Sequence, residues 1–194
     1  MQSLANRPWL QTVTGRAWCA DAHQSYEYDV EEIAHALSNI CRYSGHCREF
    51  YSVAQHSVVV MRILRERLAY PKANKRLLQA ALLHDASEAF CLDVPSPIKR
   101  MEMMSQYKAW EHAVGTSIMV YFGLEFEYKN PLIKWADLSA LATEKRDIMG
   151  NSPHDRMWLE TVDGTLPPAA VWSIKPLSPK QAKRLFMRTW ESIQ

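Results

Sequence analysis

The residues able to do chemistry in this sequence are His56, the adjacent pair His84-Asp85, Glu88 and Asp137. Each interrupts a stretch that is otherwise apolar. In LLHDASEAF (82–90) the periodicity puts Leu77, Leu78, Ala81, His84, Asp85 and Glu88 on one side, since residues three and four apart on a helix are neighbours. His56 falls among Val53, Val59, Val60, Ile63 and Leu64, with polar Gln55 beside it. A third stripe reads Ile133, Asp137, Ala140, Leu141, Glu144, Ile148. Buried charges without partners are costly, and a shared metal ion removes that cost. Two neutral imidazoles and two carboxylates form a mixed nitrogen and oxygen set suited to Zn2+, Mn2+, Fe2+ or Co2+. Such a set leaves positions for water, as a catalytic site requires. A metal there lowers the pKa of a bound water and polarises a phosphoryl oxygen, with Glu88 nearby to handle the proton.

Singly, each residue has a plainer reading. His56 alone is a hydrogen-bonded core histidine; Asp137 alone pairs with an arginine. Glu144 does the same or reaches solvent, and Glu88 is exposed where its helix rolls outward. Together with His84-Asp85 these are four coincidences, which one metal explains at once.

The elements that must position these groups are helices. The first begins at Asp29, with Glu32 completing a capping box, and repeats Val30, Ile33, Leu37, Ile40. The second starts near Ser52, with Gln55 in the reciprocal position, and runs to Pro71. The third opens around Asn74 and continues through the His84-Asp85 pair to Phe90, until Asp93-Val94-Pro95-Ser96-Pro97 breaks it. A fourth spans about Arg100 to Phe122, stopped at Gly123. The fifth has Asn130 as cap, Pro131 at its first position and Gly150 at its end. A shorter sixth begins at Ser178-Pro179. Residues 1–28 and 151–177 lack a helical period; VWSIKPL (171–177) is the candidate strand, paired with part of 10–20. The expectation is one mostly α domain over 1–194, with a core of about 29–150 and two irregular flanks.

The chain of 194 residues is long enough to bury a sizeable core. With 47% hydrophobic residues, 23% charged residues and a net charge of +2, it offers no electrostatic case for nucleic acid or membrane binding. Its apolar runs are too short to span a bilayer, and MQSLANRPWLQ has no signal-peptide core, so the expected location is cytoplasmic. Cys19, Cys41, Cys47 and Cys91 contain no CxxC pair, which favours reduced thiols.

The H…HD…D pattern of His56, His84-Asp85 and Asp137 resembles the HD superfamily of metal-dependent phosphohydrolases. HDASEAFCLDVPSPIK is similar to the HDxxE…D-x-P-x-P-x-K segment of bacterial HD-type 5'-deoxynucleotidases and their phage relatives. VEEIAHALSNICRYSGH followed by FYSVAQHS resembles the phage branch, whose members include dATP triphosphohydrolases that deplete adenine deoxynucleotide where DNA is built with 2-aminoadenine. The resemblance runs from about Thr14 to Met149 and, more weakly, into 174–182. It implies an all-α HD helical bundle with a small irregular or β-hairpin flank. It implies that His56, His84, Asp85 and Asp137 ligate the metal (Zn, Co or Mn, with Mg accompanying a triphosphate). Glu88 then corresponds to the acid that orients or deprotonates the attacking water. Asp93 corresponds to an acidic residue near the sugar or nucleophile, Arg42 to the arginine that grips phosphate, and Lys99 to a second phosphate contact. Related nucleotidases carry Arg-Trp where this chain has Arg42-Tyr43, and Tyr43 is expected to pack on sugar or base. His46 either faces the pocket or is a hydrogen-bonding loop histidine.

The expected activity is hydrolysis of dATP to deoxyadenosine and triphosphate by water attack at the α-phosphorus. The alternatives are a 5'-deoxynucleotidase acting on monophosphates and a non-catalytic nucleotide-binding HD module. The first two differ in whether cations sit beyond the α-phosphate, with Lys99, Lys134 and Lys145 as candidates. The expected partner is a small deoxynucleotide, with no nucleic acid or membrane, in a homo-oligomer located in the cytoplasm (of the host, if phage-encoded). Three further features have bland readings. Arg62, Arg65, Glu66 and Arg67 read as a solvated face. Met101, Met103 and Met104 read as pocket lining, core packing or, with Trp110, an oligomer contact. Trp18 reads as core, with stacking on a base as the alternative.

Overall fold

A computed structural model of the chain describes residues 6–68, 74–160 and 166–194. The centre is α2 (Val53–Arg67), which is buried on nearly every side from Val53 to Leu64. A helix apolar all round belongs inside a bundle, and α2 is surrounded by α1 (Val30–Asn39), α3 (Lys75–Leu82), α7 (Pro131–Glu144) and α9 (Pro179–Ser192). Between α3 and α7 lie the short α4 (Glu88–Cys91) and α5 (Ser96–Lys99) and the longer α6 (Ser105–Tyr121); α8 (Asp155–Glu160) follows α7. The mostly helical architecture with a two-stranded flank matches the expected class. The expected run of the second helix to Pro71 lies, past Leu68, outside the described residues.

Ser52 caps α2 by accepting from Gln55 N–H at 3.2 Å. The Gln55 side chain does not complete the box. It reaches across instead: Nε2 donates to Lys175 O at 2.7 Å and Leu177 N–H donates to Oε1 at 2.9 Å. This replaces the expected strand at 171–177. The segment is extended without a ladder and is held by side chains, including Asp147, which accepts from Ile174 N–H at 2.7 Å. Nor is the basic end of α2 merely solvated, because Arg62 lies 3.9 Å over the Trp172 ring while Glu66 accepts from its indole N–H.

The strands are β1 (Trp9–Gln11) and β2 (Ala17–Cys19), antiparallel with Leu10 opposite Trp18. Trp18 is buried and stacks on Phe90 at 4.9 Å, so it belongs to the core and is closed to a base. Glu32 fastens this hairpin to α1. Its carboxylate accepts from Thr12 and Thr14, from Arg16 at 2.7 and 3.0 Å, and from Tyr26 at 2.8 Å. Glu32 is therefore not the capping partner of Asp29, whose side chain accepts from Glu31 N–H.

The third expected helix is broken where the chemistry sits. α3 ends at Leu82, and turns carry 83–87 to α4. On a regular helix His84 and Asp85 would point about 100° apart. Tight turns (Ala86 N–H to Leu83 O, Glu88 N–H to Asp85 O) bring them together. α7 is capped by Asn130 and Pro131 as expected, then widens into a π-turn over 145–149. Gly150 ends it with φ +78, a conformation that favours glycine, and the Arg48 guanidinium packs against the bare Cα.

Candidate active site

His56 comes from the middle of α2, His84 and Asp85 from the break after α3, and Asp137 from α7. Both histidines have their outer nitrogen occupied by an acceptor. His56 Nδ1 lies 2.6 Å from Glu144 Oε1, and His84 Nδ1 lies 2.9 Å from Ala81 O. A carboxylate and a carbonyl can only accept, so each Nδ1 carries a proton, and in the neutral form that binds a metal each Nε2 presents a lone pair. These two lone pairs face each other at 3.3 Å. Asp85 Oδ2 completes a triangle, 3.4 Å from His56 Nε2 and 3.2 Å from His84 Nε2. Asp137 Oδ1 flanks it at 3.4 and 4.0 Å from the same nitrogens.

Acceptors this close repel unless a cation sits between them. Ligands at about 2.0–2.1 Å from a tetrahedral ion are separated by about 3.3–3.4 Å, which is the size of the triangle. The charges also fit. Burial opposes ionisation of Asp137, and the Lys134 ammonium, 2.8 Å from its Oδ2, favours it. Two carboxylates balance a divalent ion. His56, His84 and Asp85 could hold a metal, and Asp137 lies beside them.

Arg42 and Tyr43 come from a turn (Arg42–Gly45) between α1 and α2. Tyr43 and Ser44 both have left-handed backbone, φ +56 and +52, a conformation that costs non-glycine residues about 1 kcal/mol or more each. The turn is held by Arg42 N–H donating to Tyr51 O at 2.9 Å, by the Cys47 thiol donating to Arg42 O, and by the Tyr43 hydroxyl donating to Glu144. The Arg42 guanidinium lies 3.3 Å from Glu144 and 3.7 Å from Asp85. Its Nε is buried with no partner. That leaves one buried donor without a partner on a guanidinium that lies 3.7 Å from Asp85.

Glu88 opens α4 and is nearly buried. Its Oε1 is 3.4 Å from Lys99 Nζ, and its Oε2 has no partner. Burial, with the charges of Asp85 and Asp93 adding, lifts this carboxyl well above the ordinary range against the pull of Lys99 and Arg42. Asp93 is likewise raised by burial, with Arg42 opposing. It follows Leu92, whose φ of +71 turns the chain after α4. Lys99 is held 2.7 Å from Glu111 of α6. Ten expected residues thus divide unequally: nine lie in or around one electrostatic cluster, and His46 does not. Its side chain is exposed, and only its backbone N–H, donating to Tyr43 O, ties it to the turn. The methionines Met101 and Met103 are exposed rather than core, and half-buried Trp110 donates to Ala20 O on the hairpin side.

The sequence profile of the 5'-deoxynucleotidase YfbR-like family matches residues 32–144, from α1 to the last residue of α7. The chain belongs to the YfbR-like family. It is also 33% identical to the uncharacterised protein YfdR of Escherichia coli K12 over 185 residues, 95% of each chain. An uncharacterised protein of Rhodobacter capsulatus is 30% identical over 151 residues, 75% of this chain and 76% of that one. YfbR-like proteins are HD-type nucleotide phosphohydrolases, a metal-dependent class, and this member carries a candidate site to match.

Of this YfbR-like site, Glu111 was missed in the sequence and Glu144 was read only as an arginine's partner or a solvent-facing group. Glu144 stood on the inward stripe of α7, two turns after Asp137, and does pair with an arginine, but nothing in the sequence said that His56 and two tyrosines would join Arg42 on it from 88 to 102 positions away. Glu111 carried no signal beyond its charge.

Proposed function

We propose that this chain is a metal-dependent 5'-deoxynucleotidase, converting a deoxynucleoside monophosphate to nucleoside and phosphate. The observation that carries it is the pair of imidazole nitrogens beside Asp85, with the unpartnered Arg42 Nε and Glu88 Oε2 on two further side chains whose charges act on that aspartate or feel it. His56, His84, Asp85 and Asp137 would hold the ion. A divalent metal so bound supplies a water of lowered pKa and Lewis-acid polarisation of the phosphoryl oxygen. Arg42 donates from Nε to a phosphate oxygen and stabilises charge gathering there in the transition state. Glu88, lifted by burial, is a stronger base than a surface glutamate and still gives its proton up. It accepts a proton from the attacking water as the new P–O bond forms, and returns it to the 5'-oxygen as the old bond breaks. Asp93 and Lys99 flank that carboxyl and set its charge. Tyr43, fixed at its hydroxyl, presents its ring beside Arg42 at 5.2 Å for the sugar.

The dATP triphosphohydrolase reading, carried by resemblance of the segments around Arg42 and His56, needs cations for the β- and γ-phosphates. Each candidate lysine is already paired: Lys99 with Glu111, Lys134 with Asp137 at 2.8 Å, Lys145 with Asp155 at 2.7 Å. This supports the monophosphate, as the family match does. The test is product analysis with Mn2+, Co2+ or Zn2+ on the four deoxynucleoside monophosphates, their triphosphates and the ribonucleotides. Nucleoside and phosphate from monophosphates is the expected result. Deoxyadenosine and triphosphate from dATP, with monophosphates untouched, would overturn it.

A further inference from the structure

Glu144 is fully buried and carries charge in the middle of the molecule, yet it reaches the metal triangle only through the outer nitrogen of His56. Its two oxygens face different ways. Oε1 accepts from His56 Nδ1 at 2.6 Å and from the Tyr51 hydroxyl at 3.0 Å. Oε2 accepts from Arg42 Nη2 at 3.3 Å and from the Tyr43 hydroxyl. We infer that Glu144 is a positioning residue that sets metal affinity through His56 and phosphate affinity through Arg42, so that one carboxylate couples the two halves of the site. This rests on the nucleotidase reading only for what the coupling is used for.

Three features carry the inference. On the first oxygen, the acceptor at Nδ1 fixes the tautomer that turns His56 Nε2 toward Asp85, and such partners of metal-binding histidines affect metal affinity about 10- to 100-fold. On the second, Glu144 holds the guanidinium by Nη2, while Asp85 lies beside Nη1, so the unpartnered Nε is aimed by what the other nitrogens hold. Third, the Tyr43 hydroxyl bonds to the same oxygen from a left-handed turn that has few other ties. A glutamine keeps the shape of Glu144 but replaces one acceptor with a donor, and cannot serve both sides.

The test uses the full chain and needs no turnover. Co2+ is titrated into Glu144→Gln, Tyr51→Phe and the parent, followed by its visible absorption. Inorganic phosphate is then titrated by calorimetry into the Co2+-saturated proteins. Glu144→Gln is expected to bind Co2+ about 10- to 100-fold more weakly, with an altered Co2+ spectrum, and to lose at least about tenfold in phosphate affinity. Tyr51→Phe removes one neutral bond to the same oxygen but leaves the carboxylate and its contacts with His56 and Arg42 in place, so both affinities should stay within about threefold. A folded Glu144→Gln within twofold of the parent in both affinities would overturn the inference. So would equal losses in Tyr51→Phe. If the glutamine variant does not fold, Glu144→Asp keeps the charge but withdraws it by one methylene, and parental Co2+ affinity there would be equally fatal. A parent that binds Co2+ and phosphate without hydrolysing monophosphates would end the nucleotidase reading and leave this one standing.

Discussion

At the scale of single residues the site separates binding from chemistry. Glu88 contributes an unpartnered oxygen beside the metal triangle, so Glu88→Gln should lower kcat by about 10^2- to 10^4-fold while Co2+ affinity, read by titration, stays near that of the parent. His56→Ala or Asp137→Asn should lose Co2+ and turnover together. Retention of bound metal in either variant would remove that residue from the site. The metal-ligand candidates were legible because each is a polar group on an apolar helical face, where burial demands a partner. Glu144 met the same criterion and was seen, but its role depends on where Arg42 and Tyr43 arrive, which is set by a left-handed turn that periodicity does not encode. His46 shows the limit from the other side: proximity in sequence to Arg42 did not bring its side chain into the network.

At the scale of elements, caps and turn residues marked where helices begin and end, whereas side chains that leave their own element did not announce themselves. Glu32 and Gln55 both occupied capping-box positions and both reach elsewhere. Glu32 gives the clearest pH prediction. Burial raises its carboxyl pKa, but bonds from Arg16, Thr12, Thr14 and Tyr26 outweigh this and hold it at about 2, against an ordinary 4.5. A depressed folded-state pKa means stability present above pH 4.5 and lost as pH falls toward 2. With Arg16 partly solvated, the contribution is on the order of 2 kcal/mol. Denaturant melts of the parent should therefore lose more stability between pH 5 and pH 2.5 than melts of Glu32→Gln. Parallel pH curves would show that the hairpin is not held this way. Gln55→Leu should cost about 1–3 kcal/mol, since it removes two bonds and leaves Lys175 O and Leu177 N–H unsatisfied. The break at 83–87 was the least legible element, because LLHDASEAF has the composition of a continuous helix.

For the whole molecule, the apolar α2 at the centre both builds the core and delivers His56 into it, so the metal and the fold are thermodynamically linked. Ligand binding to the native state alone stabilises by RT ln(1 + [L]/Kd), about 2.7 kcal/mol at a hundredfold excess over Kd. Removing metal with a chelator should accordingly lower Tm, and Co2+ should restore it, with no restoration in His84→Ala. The bundle itself was legible from its periodic segments. The way the C-terminal strip from 166 to 178 is fastened was not, since it depends on side-chain bonds between residues up to 122 positions apart. The most direct test of the account is an anomalous difference map from crystals soaked in Mn2+ or Co2+. One peak at about 2.0–2.2 Å from both histidine Nε2 atoms, with Asp85 and Asp137 oxygens around it, is the predicted result. A map with no peak there, or with its peak bound to other residues, would contradict it.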